Sequence, residues 1–194
     1  MQPTSEQSAE TLRTAKVALD SIGIPFCLFL GTSLGAYRDH DFCPGDTDDT
    51  DIAVDITYFK RAEEIIRTMN AFGFDLEHQY LAEDGIAPEF AFVQYHDNGS
   101  RTKVDIFFIT EVGGKMTWRF YLDGIGRSYQ TRLIDKKYFK SYDKVEFFGT
   151  EYNVPHPIEE YLEANYGEDW KTPIHRGNWN WHEDNHLPYK EQEK

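Results

Sequence analysis

Apolar residues recur at helical spacing near the N-terminus. Leu12, Ala15, Leu19 and Ile22 fall on one face, which predicts a helix over about Ser5–Ser21. Gly23 and Pro25 end it. The pattern then changes: Phe26–Leu30 is unbroken apolar chain, as expected for a fully buried strand. Gly31-Thr32-Ser33 reads as a turn, with Thr32 and Ser33 placed to cap a short helix over Leu34–Arg38. Asp39–Asp48 contains Pro44 and Gly45 and reads as a loop, and Thr50–Asp55 as a second strand.

Tyr58–Ala71 is amphipathic, with Phe59, Ala62, Ile65, Ile66 and Met69 inside and Lys60, Arg61, Glu63, Glu64 and Arg67 outside. Gly73 closes that helix. Phe90–His96 and Thr102–Ile109 read as strands joined by the hairpin turn Asp97-Asn98-Gly99. Met116–Leu122 reads as further β structure, and Val145–Val154 as a hairpin around Gly149. A closing helix over Pro157–Asn165 starts on proline and stops at Gly167. This order predicts an α+β domain, a central mixed or antiparallel twisted sheet flanked by helices. No repeat or low-complexity linker interrupts it, so residues 1–194 read as one domain with a core over about 24–173 and an irregular tail over 174–194.

Composition narrows the classes. With 40% hydrophobic and 15% aromatic residues, the 194-residue chain can build a core without disulfides. The net charge of −14 argues against a nucleic-acid binder and against charge-driven docking on anionic lipid. A nucleotide is still compatible with it, because a metal ion and a few local Arg or Lys side chains set the field at a site. No apolar run is long enough to span a bilayer, and the first residues lack the pattern of a secretory signal. Cys27 and Cys43 alone give no disulfide framework, and a cytoplasmic location is the expectation.

The chemistry sits in the aspartates. Asp49 and Asp51 are two apart on the second strand and share a face, while Ile52 and Val54 belong to the core. In the strand of Lys103–Phe108, Val104, Ile106 and Phe108 alternate with Lys103, Asp105 and Phe107. If the two strands are neighbours, Asp105 joins Asp49 and Asp51. Adjacent carboxylates call for a cation, and Mg²⁺ (or Mn²⁺) suits oxygen ligands and phosphate substrates. Three carboxylates suffice for two ions about 3.5–4 Å apart that clamp an in-line displacement. Gly31 permits close backbone approach, the following helix offers N–H groups to an anion, and Thr32 and Ser33 add hydroxyls. The plainer alternative makes Asp46, Asp48 and Asp49 turn formers.

Gly31-Thr32-Ser33-Leu34-Gly35-Ala36-Tyr37-Arg38, then Phe42 and Pro44, then Asp48-Asp49-Thr50-Asp51-Ile52, resembles the LicD/fukutin family of the nucleotidyltransferase-fold superfamily. Tyr166-Gly167-Glu168-Asp169-Trp170-Lys171-Thr172-Pro173 is similar to that family's closing motif, so the resemblance spans about Ile24–Pro173. It implies a nucleotidyltransferase-like fold. It also implies transfer of a phosphorylated alcohol from a CDP-linked donor to a sugar or glycan hydroxyl, with release of CMP. Asp49 and Asp51 would be the paired metal ligands and Asp105 the third carboxylate. Gly31, Thr32 and Ser33 would cradle donor phosphate, and Arg38 would support the site. Two departures mark this chain: Gly45-Asp46 stands in place of the family's tryptophan, with Thr47 inserted, and Thr50 separates the two aspartates where the family has isoleucine. The aspartate run also admits a register with Asp48 in place of Asp49.

Two other functions stay open: nucleotidyl transfer from an NTP to a small molecule or protein, and a catalytically silent nucleotide- or sugar-binding domain. Lys103, Arg119, Arg127 and Arg132 join Arg38 as phosphate partners to test against ordinary surface charge. Tyr37, Trp118, Tyr121 and Tyr166 are base-stacking candidates against ordinary packing. His175, His182 and His186 lie in the tail with Trp179 and Trp181, but their spacing without paired cysteines is a poor zinc pattern. His156, between prolines, reads as a turn residue.

Overall fold

The structure, a computed structural model, describes residues 1–82, 84–121, 129–179 and 189–191. Arg127, Trp181, His182 and His186 lie outside the described residues. Helix α1 (Ser5–Ser21) opens on a capping box in which Thr4 and Gln7 satisfy each other's backbone N–H groups. Strand β1 (Cys27–Leu28) and helix α2 (Leu30–Arg38) follow, then β2 (Asp49–Asp55). A 3-10 turn over Ile56–Arg61 leads into α3 (Ala62–Ala71). The strands β3 (Asp75–His78), β4 (Glu89–Tyr95), β5 (Arg101–Val112), β6 (Lys115–Tyr121) and β7 (Tyr129–Asp135) come next. The hairpin β8 (Tyr142–Phe147) and β9 (Thr150–Pro155), helix α4 (Ile158–Tyr166) and strand β10 (Tyr189–Glu191) follow, with 3-10 turns over Lys136–Phe139, Glu168–Lys171 and Arg176–Asn178.

β5 organises the sheet. Its first half pairs in parallel with β2 on one side and antiparallel with β4 on the other. Its last residues, Thr110–Val112, pair with β6, which carries the sheet on to β7 and β10. β1 flanks β2, and β3 flanks β4, both antiparallel. The result is the expected α+β domain with a mixed sheet and flanking helices. Ile52, Val54, Val104, Ile106, Phe90 and Phe92 are buried along the sheet, and α1 packs against α3 and β5. Toward α4 the core is aromatic, with the Phe29 ring 5.1 Å from Trp118, 5.8 Å from Phe107 and 6.4 Å from Tyr161.

Several boundaries depart from the sequence pattern. The apolar run yields only a two-residue strand, because the chain turns at Leu30, whose φ is 39°, straight into α2. Gly31, Thr32 and Ser33 therefore lie inside the helix, and Phe29 is its N-cap without a side-chain cap. The two hydroxyls act internally instead: Thr32 Oγ1 accepts from Asp51 N at 2.8 Å, and Ser33 Oγ donates to the Leu30 carbonyl at 2.8 Å. The helix expected over Tyr58–Ala71 is split, since the Asp55 carboxylate accepts from Thr57 N and winds the first turn tightly. β3 and β7 have no counterpart in the hydrophobic pattern. The tail read as irregular carries β10, held by antiparallel pairing to β7.

Candidate metal centre

The parallel pairing of β2 with β5 sets the register Asp49↔Lys103, Asp51↔Asp105 and Ala53↔Phe107. Register partners present side chains to the same face, so the three aspartates converge. A carboxylate oxygen from each of Asp49, Asp51 and Asp105 lies within 4.8 Å of the other two. The intervening residues Thr50, Ile52, Val104 and Ile106 are fully buried on the other face, which fixes the register.

Helix α2 points its first turn at this cluster. A Cβ placed on Gly31 would meet Asp46 Oδ2 at 3.0 Å and Asp51 Oδ2 at 3.6 Å. Gly31 therefore allows helix backbone to approach two carboxylates at once, beside the unpaired N–H groups that begin any helix. Thr32, by accepting from Asp51 N, ties the helix to the strand that carries the acids. The close approach comes from the start of the helix itself rather than from a turn ahead of it.

Two cations meet the acids. Lys103 Nζ lies 2.7 Å from Asp105 Oδ2 and 3.3 Å from Asp49 Oδ1. Arg176, from the segment after the closing motif, sets Nη1 at 2.8 Å from Asp46 Oδ1 and 3.3 Å from Asp48 Oδ1, and Nη2 at 3.1 Å from Asp49 Oδ2. Five aspartates against these two cations leave the cluster three positive charges short when every group is ionised. The electrostatics record the deficit. Burial and the neighbouring Asp49 push Asp46 up to about 7, with Arg176 pulling the other way. Poor hydration, then the charges of Asp49 and Asp105, hold Asp51 well above the ordinary carboxylate range. Asp105 is raised in the same direction by burial and then by Asp49. Lys103 is held strongly protonated: burial works against its charge, but Asp105 and Asp49 outweigh it.

Asp105 Oδ1 is buried without a hydrogen bond, and Asp49 Oδ1 has none either, only the Lys103 ammonium at 3.3 Å. Such oxygens are costly unless a cation or donor satisfies them. All-oxygen donors in a charge-deficient cluster fit a divalent cation of the Mg²⁺ or Mn²⁺ kind. Asp48, the alternative register, contacts Arg176 as Asp49 does, but it is more exposed than Asp49 and is not one of the three converging carboxylates.

The other sequence candidates scatter. Arg38 donates to both Asp39 oxygens, at 2.8 and 2.6 Å, and to the Trp170 carbonyl at 2.9 Å. It fastens the C-terminal end of α2 to the closing motif, a supporting position beside the site. Trp118 and Arg132 are almost wholly buried in the core. Arg119 pairs with Asp84, and His156 Nδ1 lies 2.8 Å from Asp143 Oδ1. The Tyr37 hydroxyl donates to Glu159 Oε1, and the Tyr166 ring lies 5.8 Å from Trp179. His175 backs Gly45, where its ring would stand 2.6 Å from an added Cβ. Sequence reasoning missed Arg176 and treated Asp46 only as a turn former. Neither carries a periodic signal, because Asp46 sits in a loop and Arg176 in a three-residue 3-10 turn, both brought to the cluster by tertiary contacts.

The domain is thus α+β, with a mixed sheet that gathers three carboxylates able to hold a cation near the start of a helix. A model of the LicD/FKTN/FKRP nucleotidyltransferase domain matches residues 23–157. The chain belongs to this family, as the motifs implied. It is similar to the ribitol-5-phosphate transferase FKTN of Macaca fascicularis, at 32% identity over 177 residues, and to that of Homo sapiens, at 31%. The match covers 90% of this chain and 35% of each relative, so the chain spans about a third of the length of the curated relatives it matches.

Proposed function

We propose that this domain transfers a phosphorylated alcohol from a CDP-linked donor to a sugar or glycan hydroxyl and releases CMP. The observation that carries the reading is the register pair Asp51–Asp105 with Asp49 beside it, facing the first turn of α2. Asp49, Asp51 and Asp105 would hold Mg²⁺ or Mn²⁺. When bound, the ion supplies charge neutralisation to the phosphates and acidity to a coordinated hydroxyl. The start of α2 favours a phosphate group over the site through its N–H groups. Gly31 lets the start of the helix come up against the Asp46 and Asp51 carboxylates, while Thr32 holds the acidic strand in place.

The acceptor oxygen forms a bond to the phosphorus bearing the alcohol. The bridge from that phosphorus to CMP breaks, and CMP leaves with the electron pair. The acceptor's proton passes to a carboxylate of the cluster, for which Asp105 is our candidate. The names of the FKTN relatives, ribitol-5-phosphate transferases, support this class of reaction.

Calorimetric titration of CDP-ribitol, CDP-choline, CTP and ATP, each with and without Mg²⁺, tests the reading on wild type and Asp51→Asn. Metal-dependent binding of a CDP-alcohol that disappears in the variant is the expected result. Preference for a triphosphate would replace it with nucleotidyl transfer. Metal-independent nucleotide binding without turnover would make the domain a silent binder.

A further inference from the structure

We propose that Arg176 is the donor-phosphate clamp of this site, a role that rests on the function proposed above. Residues 172–179 run back across the acidic face. The Arg176 backbone N–H donates to the Pro44 carbonyl at 2.8 Å, which ties the strap to the loop that carries Asp46. His175 packs against Gly45 in that loop, and its Nδ1 accepts from Gly177 N at 3.1 Å, fixing the turn that presents Arg176. Trp179 packs on Tyr166 at the far end. The guanidinium is thus delivered to the cluster by a strap anchored on both sides.

Its position differs from that of the neighbouring cations. Lys103 is wedged between Asp49 and Asp105, and Arg38 is committed to Asp39 and the Trp170 carbonyl. Arg176 is 46% exposed and spreads its two terminal nitrogens over Asp46, Asp48 and Asp49. A half-exposed guanidinium stays in contact with water while it changes partners. Its planar fork matches phosphate oxygens as well as carboxylates. Were Asp49 to hold a divalent ion, Arg176 would lose one of its three carboxylate partners and could turn to the donor diphosphate. Arg176 serves as a counter-charge to Asp46, Asp48 and Asp49, and with donor bound it would turn to the phosphates.

The test titrates Mn²⁺ alone, and then CDP in saturating Mn²⁺, into wild type, Arg176→Ala and Arg176→Lys, with thermal melts to confirm folding. The expected result is Mn²⁺ affinity in Arg176→Ala equal to or tighter than wild type, because a competing cation is gone. CDP affinity should fall about 10- to 100-fold, the range for losing charge-assisted hydrogen bonds, with partial recovery in Arg176→Lys. Unchanged CDP affinity in Arg176→Ala overturns the clamp while leaving the proposed function intact. Loss of Mn²⁺ and CDP binding together also overturns it, by making Arg176 a support for the acidic loop. Failure of wild type to bind CDP with Mn²⁺ overturns both readings.

Discussion

Asp51 and Asp105 are register partners across the parallel pair β2–β5, so two carboxylates leave the sheet side by side. Neighbouring strands stand about 4.8 Å apart, a separation at which two buried negative charges repel strongly. The fold imposes this arrangement from the opposite face. Ile52 and Ile106, also register partners, are fully buried, and a one-residue slip of either strand would carry its isoleucine into the acidic site. Hydrophobic burial on one side of the sheet thus supplies the free energy that holds like charges together on the other.

Removing one of those charges should stabilise the metal-free protein. Asp51→Asn keeps the shape of the side chain and relieves repulsion with Asp49 and Asp105, the charges that raise Asp51 after its poor hydration. A gain of about 0.5–2 kcal/mol is the usual range when a strained functional group is replaced. For a domain of this size that raises Tm by about 2–4 °C per kcal/mol. Melts in EDTA at pH 7.5 check the stability. Adding Mn²⁺ should then raise Tm for wild type but not for the variant.

Gly35→Ala should be among the more damaging small substitutions. A Cβ there would meet the Asp41 carbonyl at 2.5 Å and Cys43 N at 2.8 Å, both rigid backbone of the loop folded over α2. Overpacking of this kind costs about 1–3 kcal/mol. Gly31→Ala meets carboxylate oxygens instead, at 3.0 and 3.6 Å, and these can shift. Urea midpoints should therefore fall for Gly35→Ala and change little for Gly31→Ala, whereas Mn²⁺ affinity should fall for Gly31→Ala.

Both cysteines should be inert in the native state. Burial pushes the Cys27 thiol up to about 12, and burial likewise raises Cys43 to about 12 against the pull of Arg38. From an unfolded value of 9.0, the thiolate at pH 8 is suppressed roughly 1,000-fold. Alkylation by iodoacetamide at pH 8 should be slow until urea unfolds the chain. The folded state prefers the protonated form, so this stabilisation is complete below about pH 9. It is lost as pH rises from 9 toward 12, at about 1.4 kcal/mol per unit for each thiol. Urea midpoints at pH 8 and pH 10.5 check the sign.

The periodic parts of the molecule were legible in the sequence. The face of α1, the alternation through Asp49–Val54 and Lys103–Phe108, and the Asn98-Gly99 hairpin all follow from side-chain period and turn chemistry. Because a strand's period places every second residue on one face, three site carboxylates could be named before the strands were known to pair. The misses are tertiary. The start of α2 could not be read, because Thr32 and Ser33 look like caps until Asp51 N and the Leu30 carbonyl are seen to engage them. β3 alternates only weakly at the sheet edge. Arg176 reaches the cluster through a segment with no hydrophobic pattern at all.

Arg38 separates support of the site from contact with substrate. Its side chain is 9% exposed, and it bonds both oxygens of Asp39 and the carbonyl of Trp170. Truncation to alanine leaves Asp39 and that carbonyl without a donor, at a cost of about 2–4 kcal/mol, near the range for a broken buried pair. Arg38→Lys should recover little, because an ammonium cannot span both carboxylate oxygens and the carbonyl in one plane. The Asp39→Ala and double variants complete a cycle whose coupling energy should reach about 1–3 kcal/mol for groups in direct contact. Below the melting transition, CDP affinity with Mn²⁺ should stay within a few-fold of wild type in Arg38→Ala, since the guanidinium faces the closing motif. A wild-type urea midpoint combined with lost CDP binding would instead put Arg38 on the donor.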